Sequence, residues 1–474
     1  MSKPFLMDYR SAALAIGAEL FPERAEGGFF SVAIDSRKVN KGSLFIALQG
    51  LSSDGHRFLD EAFDAGAAGA LVSRKGLEEA GHDPQTLGIQ AAEKGVILLI
   101  VDDTLKGLQN LAAAYLELFP RLLRIGITGS SGKTTTKEIT ASVIGKEKNV
   151  IMNSGNLNSE TGLPLSTFNV RTHHDVGVFE AGMNRKGEIK ELAAVLKPEI
   201  ALVTNIGPAH IGILGSMENI ANEKKQIFSQ FTGTETALIP EDDPFRDYLA
   251  QGVNGKVLFY GQNTFEASGK LNSILDRGLA GTEINWEGIP VSFGLPGKHN
   301  VKNALAAAAL ANEAGISAAS IRNGLAGVKG LFGRSEVLQG KTTVIRDCYN
   351  SNPDSAAEAL AFCDSINWPG RRIYIVGSML ELGEHEEAEH RKIGQILGES
   401  KADLIFLYGK EMENAAEELK EYRRKYFHTG SMEQLSKELE NEIQSGDLVL
   451  LKGSRGCALE QLTSIVFLEG PDVS

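Results

Sequence analysis

The stretch Gly126–Glu138, "GITGSSGKTTTKE", decides how the rest of the chain is read. An apolar run, "LLRIGIT" (122–128), leads into it, and helix-forming residues follow with Ile139 and Val143 spaced to share a buried face. A loop that cradles a polyphosphate needs small residues so that backbone N–H groups can approach, a helix amino terminus behind them, and a cation for the outer phosphates. Gly129 and Gly132 supply the approach, with Thr128, Ser130 and Ser131 completing the loop, Lys133 the charge, and Thr134 a hydroxyl placed for Mg²⁺. The spacing is unusual, however. The common nucleotide loop has four residues between its first Gly and its Gly-Lys pair, which puts Ile127 where that first Gly belongs.

Outward from the loop, strand and helix patterns alternate. "DVGVFEAGM" (175–183) and "EIALVTNIGPAH" (199–210) each end an apolar run in polar residues, as strands do at the ligand-binding carboxyl edge of a parallel sheet. Glu180 closes the first run, where a carboxylate faces the loop and its metal, and His210 follows the second on the same edge. His173 and His174 have no such setting. A central ATP-binding domain with a parallel sheet is expected over 96–327.

Residues 1–95 read as a small mixed α/β domain, with strand-like "SLFIALQG" and "AAGALVSR" around a helical "HRFLDEAFDAGAA". Residues 328–474, after "GLAGVKGLFGR", alternate "TTVIRDC", "RRIYIVG", "ADLIFLYG" and "DLVLLKGS" with charged helices such as "EMENAAEELKEYRRK". That rhythm predicts βαβ units and a Rossmann-like parallel sheet. The fold class is therefore α/β in three domains.

Composition narrows the partners. The net charge of −13 opposes binding to nucleic acid, which requires phosphate neutralisation. Cys348, Cys363 and Cys457 are far apart, with no Cys-x-x-Cys, and read as buried small hydrophobes in a reducing compartment. No apolar run approaches the roughly 18–20 residues of a membrane span. A cytoplasmic protein, monomeric and without a membrane span, is expected.

Several segments together resemble the Mur ligase family, ATP-dependent amide-forming enzymes of peptidoglycan precursor synthesis whose loop has the form GxTGxxGKT. The resemblance extends along the chain through "DSRKVNKGSLFIALQG", "DGHRF", "NSGNLNSETGLPLS", "FEAGMNRKGEI", "TNIGPAHI", "GKHNVKNALAA", "GRSEV", "DCYNSNPDS" and "LLKGSRG". It implies a carboxylate activated as an acyl phosphate by ATP and then attacked by an amine. It also implies roles: Lys133 on the β- and γ-phosphates, Thr134 and Glu180 on one Mg²⁺, and His210 on a second metal. A lysine carbamate helps hold that second metal in several family members. In "SMENIANEKKQIF" Lys224 is the candidate, with Lys225 its neighbour. Asn300 and Asn303 resemble the adenine-side asparagines, although Asn300 also suits a helix cap. Arg334 would reach the phosphates and Asp347 the ribose. The nucleotide sugar would meet Ser36 and Arg37, with Asn156, Asn158 and Ser159 along its approach.

"YNSNPDS" (349–355) is similar to the signature of the dipeptide-adding branch, which implies UDP-N-acetylmuramoyl-tripeptide and D-alanyl-D-alanine as substrates, the third peptide residue being diaminopimelate or lysine. The Asp-Asn-Pro-Arg motif of the diaminopimelate-adding sister does not occur between 328 and 474. A sister ligase adding a single amino acid, or a folate polyglutamate ligase, is the nearer alternative reading. A GTPase switch would carry Asn-Lys-x-Asp, but "NKGS" (40–43) lacks the Asp and precedes the loop; an ABC-type motor would carry Leu-Ser-Gly-Gly, which is absent.

Overall fold

The computed structural model describes residues 5–50 and 53–470. Three sheets of five or six strands follow one another along the chain, each with its own apolar interior. The first contains β1 (Glu19–Phe21), β2 (Ser31–Ala33), β3 (Ser43–Ile46), β4 (Gly69–Ser73) and β5 (Ile97–Val101), in the order β1-β5-β4-β3-β2. All its pairings are parallel except that of β1 with β5. This corrects the expected boundary at 95/96. Ile97–Val101 pairs residue for residue with Gly69–Ser73, and its side chains complete the first core, so the first domain runs past Val101. The helix Thr104–Glu117 then bridges to the second domain: Leu108, Leu111 and Tyr115 join a cluster that includes residues of both.

The central sheet comprises β6 (Leu123–Thr128), β7 (Val150–Met152), β8 (Val176–Glu180), β9 (Ile200–Val203), β10 (Thr236–Pro240) and β11 (Lys256–Tyr260), ordered β11-β10-β9-β6-β8-β7 and parallel throughout. β6 sits at its heart because Ile125 and Ile127 are fully buried against the helices Lys133–Ile144 and Lys298–Glu313. The run "ALAAAALA" on the latter helix keeps its side chains small, so it packs close to the loop helix. The chain leaves β6 towards β8 and β7 on one side and returns to β9 on the other. The strand order therefore switches at β6, where a parallel sheet opens a crevice beyond its carboxyl ends. Register puts Glu180 beside Ile127 and Val203 beside Thr128, so three strand ends meet at the loop. A small antiparallel sheet, β12 (Leu271–Asp276), β13 (Thr282–Trp286) and β14 (Ile289–Phe293), follows within this domain; it has no counterpart in the sequence reading.

The third sheet contains β15 (Glu336–Gln339), β16 (Thr343–Asp347), β17 (Arg372–Gly377), β18 (Leu404–Tyr408), β19 (Tyr426–Thr429) and β20 (Leu448–Lys452), ordered β15-β16-β20-β17-β18-β19. Only β15 runs antiparallel. β20 is inserted between β16 and β17 because every one of its residues is buried, as a strand covered on both faces requires. Its last residue, Lys452, is paired in register with Asp347. The predicted cysteines are all free and buried. Among the described residues no helix is long and apolar enough to cross a membrane.

Candidate active site

The Gly loop is held in shape by the segment that follows β9. Ser131 N–H donates to Asn205 Oδ1 at 2.9 Å, Ser130 N–H to the Asn205 carbonyl at 3.0 Å, and the Thr204 hydroxyl to the Ser131 carbonyl at 2.7 Å. The glycines are obligatory here. Gly129 and Gly132 have φ of 150° and 76°, and a Cβ would overlap Thr204 Oγ1 at the first and Asn303 Oδ1 at the second. Lys133 arches back over the loop, its Nζ donating to the carbonyls of Gly129 at 2.9 Å and Ser130 at 3.3 Å. Burial holds its amine below the usual lysine range; Glu180 opposes this and Arg334 adds to it.

Glu180 is nearly inaccessible, and both its oxygens are engaged. Oε2 accepts from the Thr134 hydroxyl at 2.8 Å, and Oε1 from Asn158 Nδ2 at 2.6 Å. Beneath it lies Lys137, fully buried, whose Nζ donates to the Asn153 carbonyl at 2.7 Å and stands 3.8 Å from Glu180. Asn153 in turn accepts the Glu180 N–H at 2.9 Å. From the third domain, Arg334 donates to Thr134 Oγ1 at 3.0 Å across 200 residues of chain, with its guanidinium stacked 4.1 Å from the centre of the Tyr349 ring. Thr134 and Glu180 thus present neighbouring oxygens of the hard kind Mg²⁺ takes. Among the described residues no three His, Cys, Asp or Glu side chains cluster as a metal cage. Mg²⁺ commonly needs none, since one or two carboxylates with substrate phosphates and waters suffice.

His210 has φ of 64° and begins the short helix Ile211–Leu214. Its Nδ1 lies 2.9 Å from Glu381 Oε2 of the third domain, an electrostatic contact out of line for a hydrogen bond. That contact holds the Glu381 carboxyl below its usual range. Lys224 is 1% exposed, and burial, with the Lys133 charge acting in the same direction and Glu223 against it, pushes its amine well below the lysine range. Lys225 differs: its Nζ donates to the Tyr248 and Gln251 carbonyls at 2.7 and 2.5 Å on the surface.

A cleft of about 1080 Å³ runs between the second and third domains. Its walls include Ser130 to Thr134, Asn156, Asn158, Glu180, His210, Asn300, Asn303, Arg334 and Asp347. Asn300 does not cap its helix: the cap position is Gly297, and Asn300, in the first turn, donates to the Pro296 carbonyl at 2.8 Å. Asn303 Oδ1 accepts from Thr136 at 3.3 Å, against the back of Gly132. Asp347 accepts from Lys452 Nζ at 2.8 Å and Ser335 N–H at 3.0 Å. Burial opposes its ionisation, but Lys452 prevails and keeps its carboxyl below the usual range.

Other expected residues stay outside the cleft walls. Thr128 is buried with its hydroxyl given to the Ala181 carbonyl at 2.9 Å, and Gly129 lies behind the loop face. Ser159 Oγ accepts from Gly162 N–H at 3.2 Å within its own turn. In the first domain Ser36 is buried and donates to Glu61 at 3.0 Å, while exposed Arg37 pairs with Asp35 through two 2.9 Å contacts. Lys224 lies behind the wall, within the electrostatic reach of Lys133. The sequence reading missed Lys137, Asn205, Glu381 and Lys452. Lys137, Asn205 and Lys452 stand inside quoted stretches; Glu381 carries no local signal.

Three family models cover most of the chain: "Mur ligase family, catalytic domain" over 30–116, "Mur ligase middle domain" over 127–311, and "Mur ligase, glutamate ligase domain" over 333–455. The UDP-N-acetylmuramoyl-tripeptide--D-alanyl-D-alanine ligase of Treponema pallidum is 41% identical, covering 97% of this chain and 99% of its own. Its namesake from Bacillus subtilis is 34% identical over 95% and 96% of the two chains. Among solved structures, MurF from Acinetobacter baumannii superposes with a TM-score of 0.85 at 27% identity, covering 98% and 99%. MurF ligase from Thermotoga maritima in complex with ADP gives 0.76 at 26% identity, covering 92% and 96%. With three domain models matched in order along the chain and a relative 41% identical over 97% of it, the chain belongs to the Mur ligase family.

Proposed function

We propose that the protein is an ATP-dependent amide ligase that joins D-alanyl-D-alanine to the terminal carboxylate of UDP-N-acetylmuramoyl-tripeptide, a step of peptidoglycan precursor synthesis, releasing ADP and phosphate. The observation that carries the reading is the meeting at Thr134. Its hydroxyl lies 2.8 Å from Glu180 and 3.0 Å from Arg334, so phosphate loop, strand-end carboxylate and third domain converge on one point. The names of the full-length relatives supply the substrate class.

A carboxylate is a poor acyl donor, and phosphorylation gives it a leaving group. The tripeptide's carboxylate oxygen attacks the γ-phosphorus, the bond from that phosphorus to the ADP oxygen breaks, and an acyl phosphate forms. The dipeptide amine then attacks the acyl carbon; the nitrogen loses its proton, and the tetrahedral intermediate expels phosphate as the amide C=O reforms. The protein contributes positioning and charge. Lys133 and Arg334 face the transferred phosphoryl group, Asn300 and Asn303 hold the adenine side, and Asp347, fixed by Lys452, takes the ribose. Thr134 and Glu180 would hold one Mg²⁺, and His210 with carbamylated Lys224 a second; bound there, the ions would neutralise phosphate charge. Burial lowers both amines but Lys224, almost fully buried, much further, which supports Lys224 over Lys225 because only a neutral amine reacts with CO₂. Asn156, Asn158 and Ser159 would line the peptide's path, and Ser36 and Arg37 would meet the uridine nucleotide. We further propose that it acts as a cytoplasmic monomer.

ADP release in the presence of Mg²⁺, measured with each substrate omitted in turn, tests the reading. Sustained release is expected only with ATP, the nucleotide-peptide and the dipeptide together. Sustained release without any amine would overturn it.

A further inference from the structure

The chain passes from the second domain to the third through residues 327–335, between the helix Ala318–Ala326 and β15. Arg334, which reaches Thr134, stands at the end of this passage, so its aim depends on how the passage is held. The residues on either side of it have left-handed backbone, Gly333 at φ 66° and Ser335 at φ 51°. Glycine adopts that conformation freely; serine does so rarely, and only where its surroundings fix it.

Ser335 is buried and fixed on two sides. Its N–H donates to Asp347 Oδ1 at 3.0 Å, the carboxylate that Lys452 holds. Its hydroxyl is hydrogen-bonded at 3.0 Å to Nε2 of His299, in the first turn of the helix Lys298–Glu313. Asp347 lies in the same domain as Ser335, whereas His299 lies in the second, on the helix that packs against the loop helix. The bond therefore crosses between domains one residue away from Arg334. Burial holds the His299 ring below the usual histidine range, with Asp347 opposing and Lys452 assisting. The ring is thus neutral at neutral pH and serves as a hydrogen-bonding peg, not as a countercharge for phosphate.

We propose that His299 and Ser335 are positioning residues for Arg334: their hydrogen bond pins the passage between the domains and aims the guanidinium at the transferred phosphoryl group. The proposal rests on the ligase reading above and adds two residues to it. Two other supports of Arg334 belong to the third domain and move with it, namely the Tyr349 ring stacked on the guanidinium and the Tyr349 N–H donated to the Gly333 carbonyl at 3.0 Å. The His299 bond instead ties the turn to the domain that carries the phosphate loop. It sets where the guanidinium stands relative to the γ-phosphate, so it governs the rate of phosphoryl transfer and leaves nucleotide affinity unchanged.

The test is ADP formation by the full-length enzyme, in steady state and in single turnover, the second following variants too slow for the first. His299→Ala and Ser335→Ala should each lower the rate about 3–10-fold, the loss of one hydrogen bond, with KM for ATP within about twofold. The double variant should be no slower than the slower single one. His299→Gln, whose amide reaches the position of Nε2, should recover most of the rate, and His299→Asn should not. Ser335→Gly adopts the left-handed backbone without strain and should be as slow as Ser335→Ala, so it carries the test if the alanine variant does not fold. In an Arg334→Ala background each substitution should cost less than about 1.5-fold, because the group they aim is gone. A merely structural role would carry its full cost into that background. That result, additive losses, or a raised KM for ATP at an unchanged rate would overturn the proposal while leaving the ligase standing. Sustained ADP release by the parent enzyme without any amine would overturn the ligase reading and this one with it.

Discussion

Lys133 and Lys224 illustrate how much a single residue's setting decides. Lys133→Ala removes the charge facing the transferred group but touches only loop carbonyls, so turnover should fall by on the order of 10²–10³-fold with an unchanged melting temperature. Near-normal turnover would contradict its role. Two adjacent lysines look alike in sequence and read as a solvated helix face; the fold separates them, burying Lys224 and tying Lys225 to carbonyls 23 and 26 residues away. Lys224→Ala should be inactive and partly rescued by short carboxylic acids that supply the missing oxygens, whereas Lys225→Ala should work; the reverse pattern in a rate assay would move the carbamate by one residue. Asp347 carries a pH signature. Its carboxyl lies below its ordinary range in the folded protein, so its stabilisation is present above about pH 4, the unfolded value, and is lost as pH falls through the folded one. Asp347→Asn should therefore cost roughly 1–3 kcal/mol in urea unfolding at neutral pH, from leaving Lys452 without its partner charge. The deficit should shrink towards pH 3, and one that grows with acid would refute the pairing.

At the scale of elements, legibility followed locality. The loop, its strand and its helix are contiguous, so glycine spacing and apolar periodicity revealed them, and Glu180 and His210 followed because apolar runs end in polar residues at a common sheet edge. Ile97–Val101 was assigned to the wrong domain since an apolar run does not say which sheet will pair with it; only the register with Gly69–Ser73 does. The antiparallel β12–β14 sheet went unread because "LNSILD" and "IPVSF" are half-exposed and carry weak alternation. Lys137 was passed over for the opposite reason, a charged residue on a helix that the fold buries completely under Glu180. Glu381 acquires meaning only when the third domain meets His210 of the second. One element contact is especially testable. Gly212, in the short helix after His210, abuts Gly383 of the third domain so closely that a Cβ would overlap the Gly383 nitrogen. Gly212→Ala should leave each domain folded but hold the junction apart, lowering kcat/KM by on the order of 10²-fold through misplaced groups, with a larger radius in solution scattering. An unchanged rate would show that this contact is dispensable.

The whole molecule brings residues from two domains to one phosphate loop. Arg334 reaches Thr134, Glu381 meets His210, and Gly383 seats against Gly212, so the structure has the third domain docked over the cleft. Docking of this kind excludes water from an acyl phosphate that it would otherwise hydrolyse. It also fixes where the amine must stand, which makes acceptor length the sharpest discriminator among members of the family. An acceptor of the wrong length loses the proximity contribution, which reaches about 7–11 kcal/mol for well-oriented reactants. The most direct test is to measure ADP release for two substrate pairs side by side. With UDP-N-acetylmuramoyl-tripeptide and D-alanyl-D-alanine the rate should be high, and with UDP-N-acetylmuramoyl-dipeptide and diaminopimelate or lysine close to background. Equal rates, or preference for the single amino acid, would contradict the account.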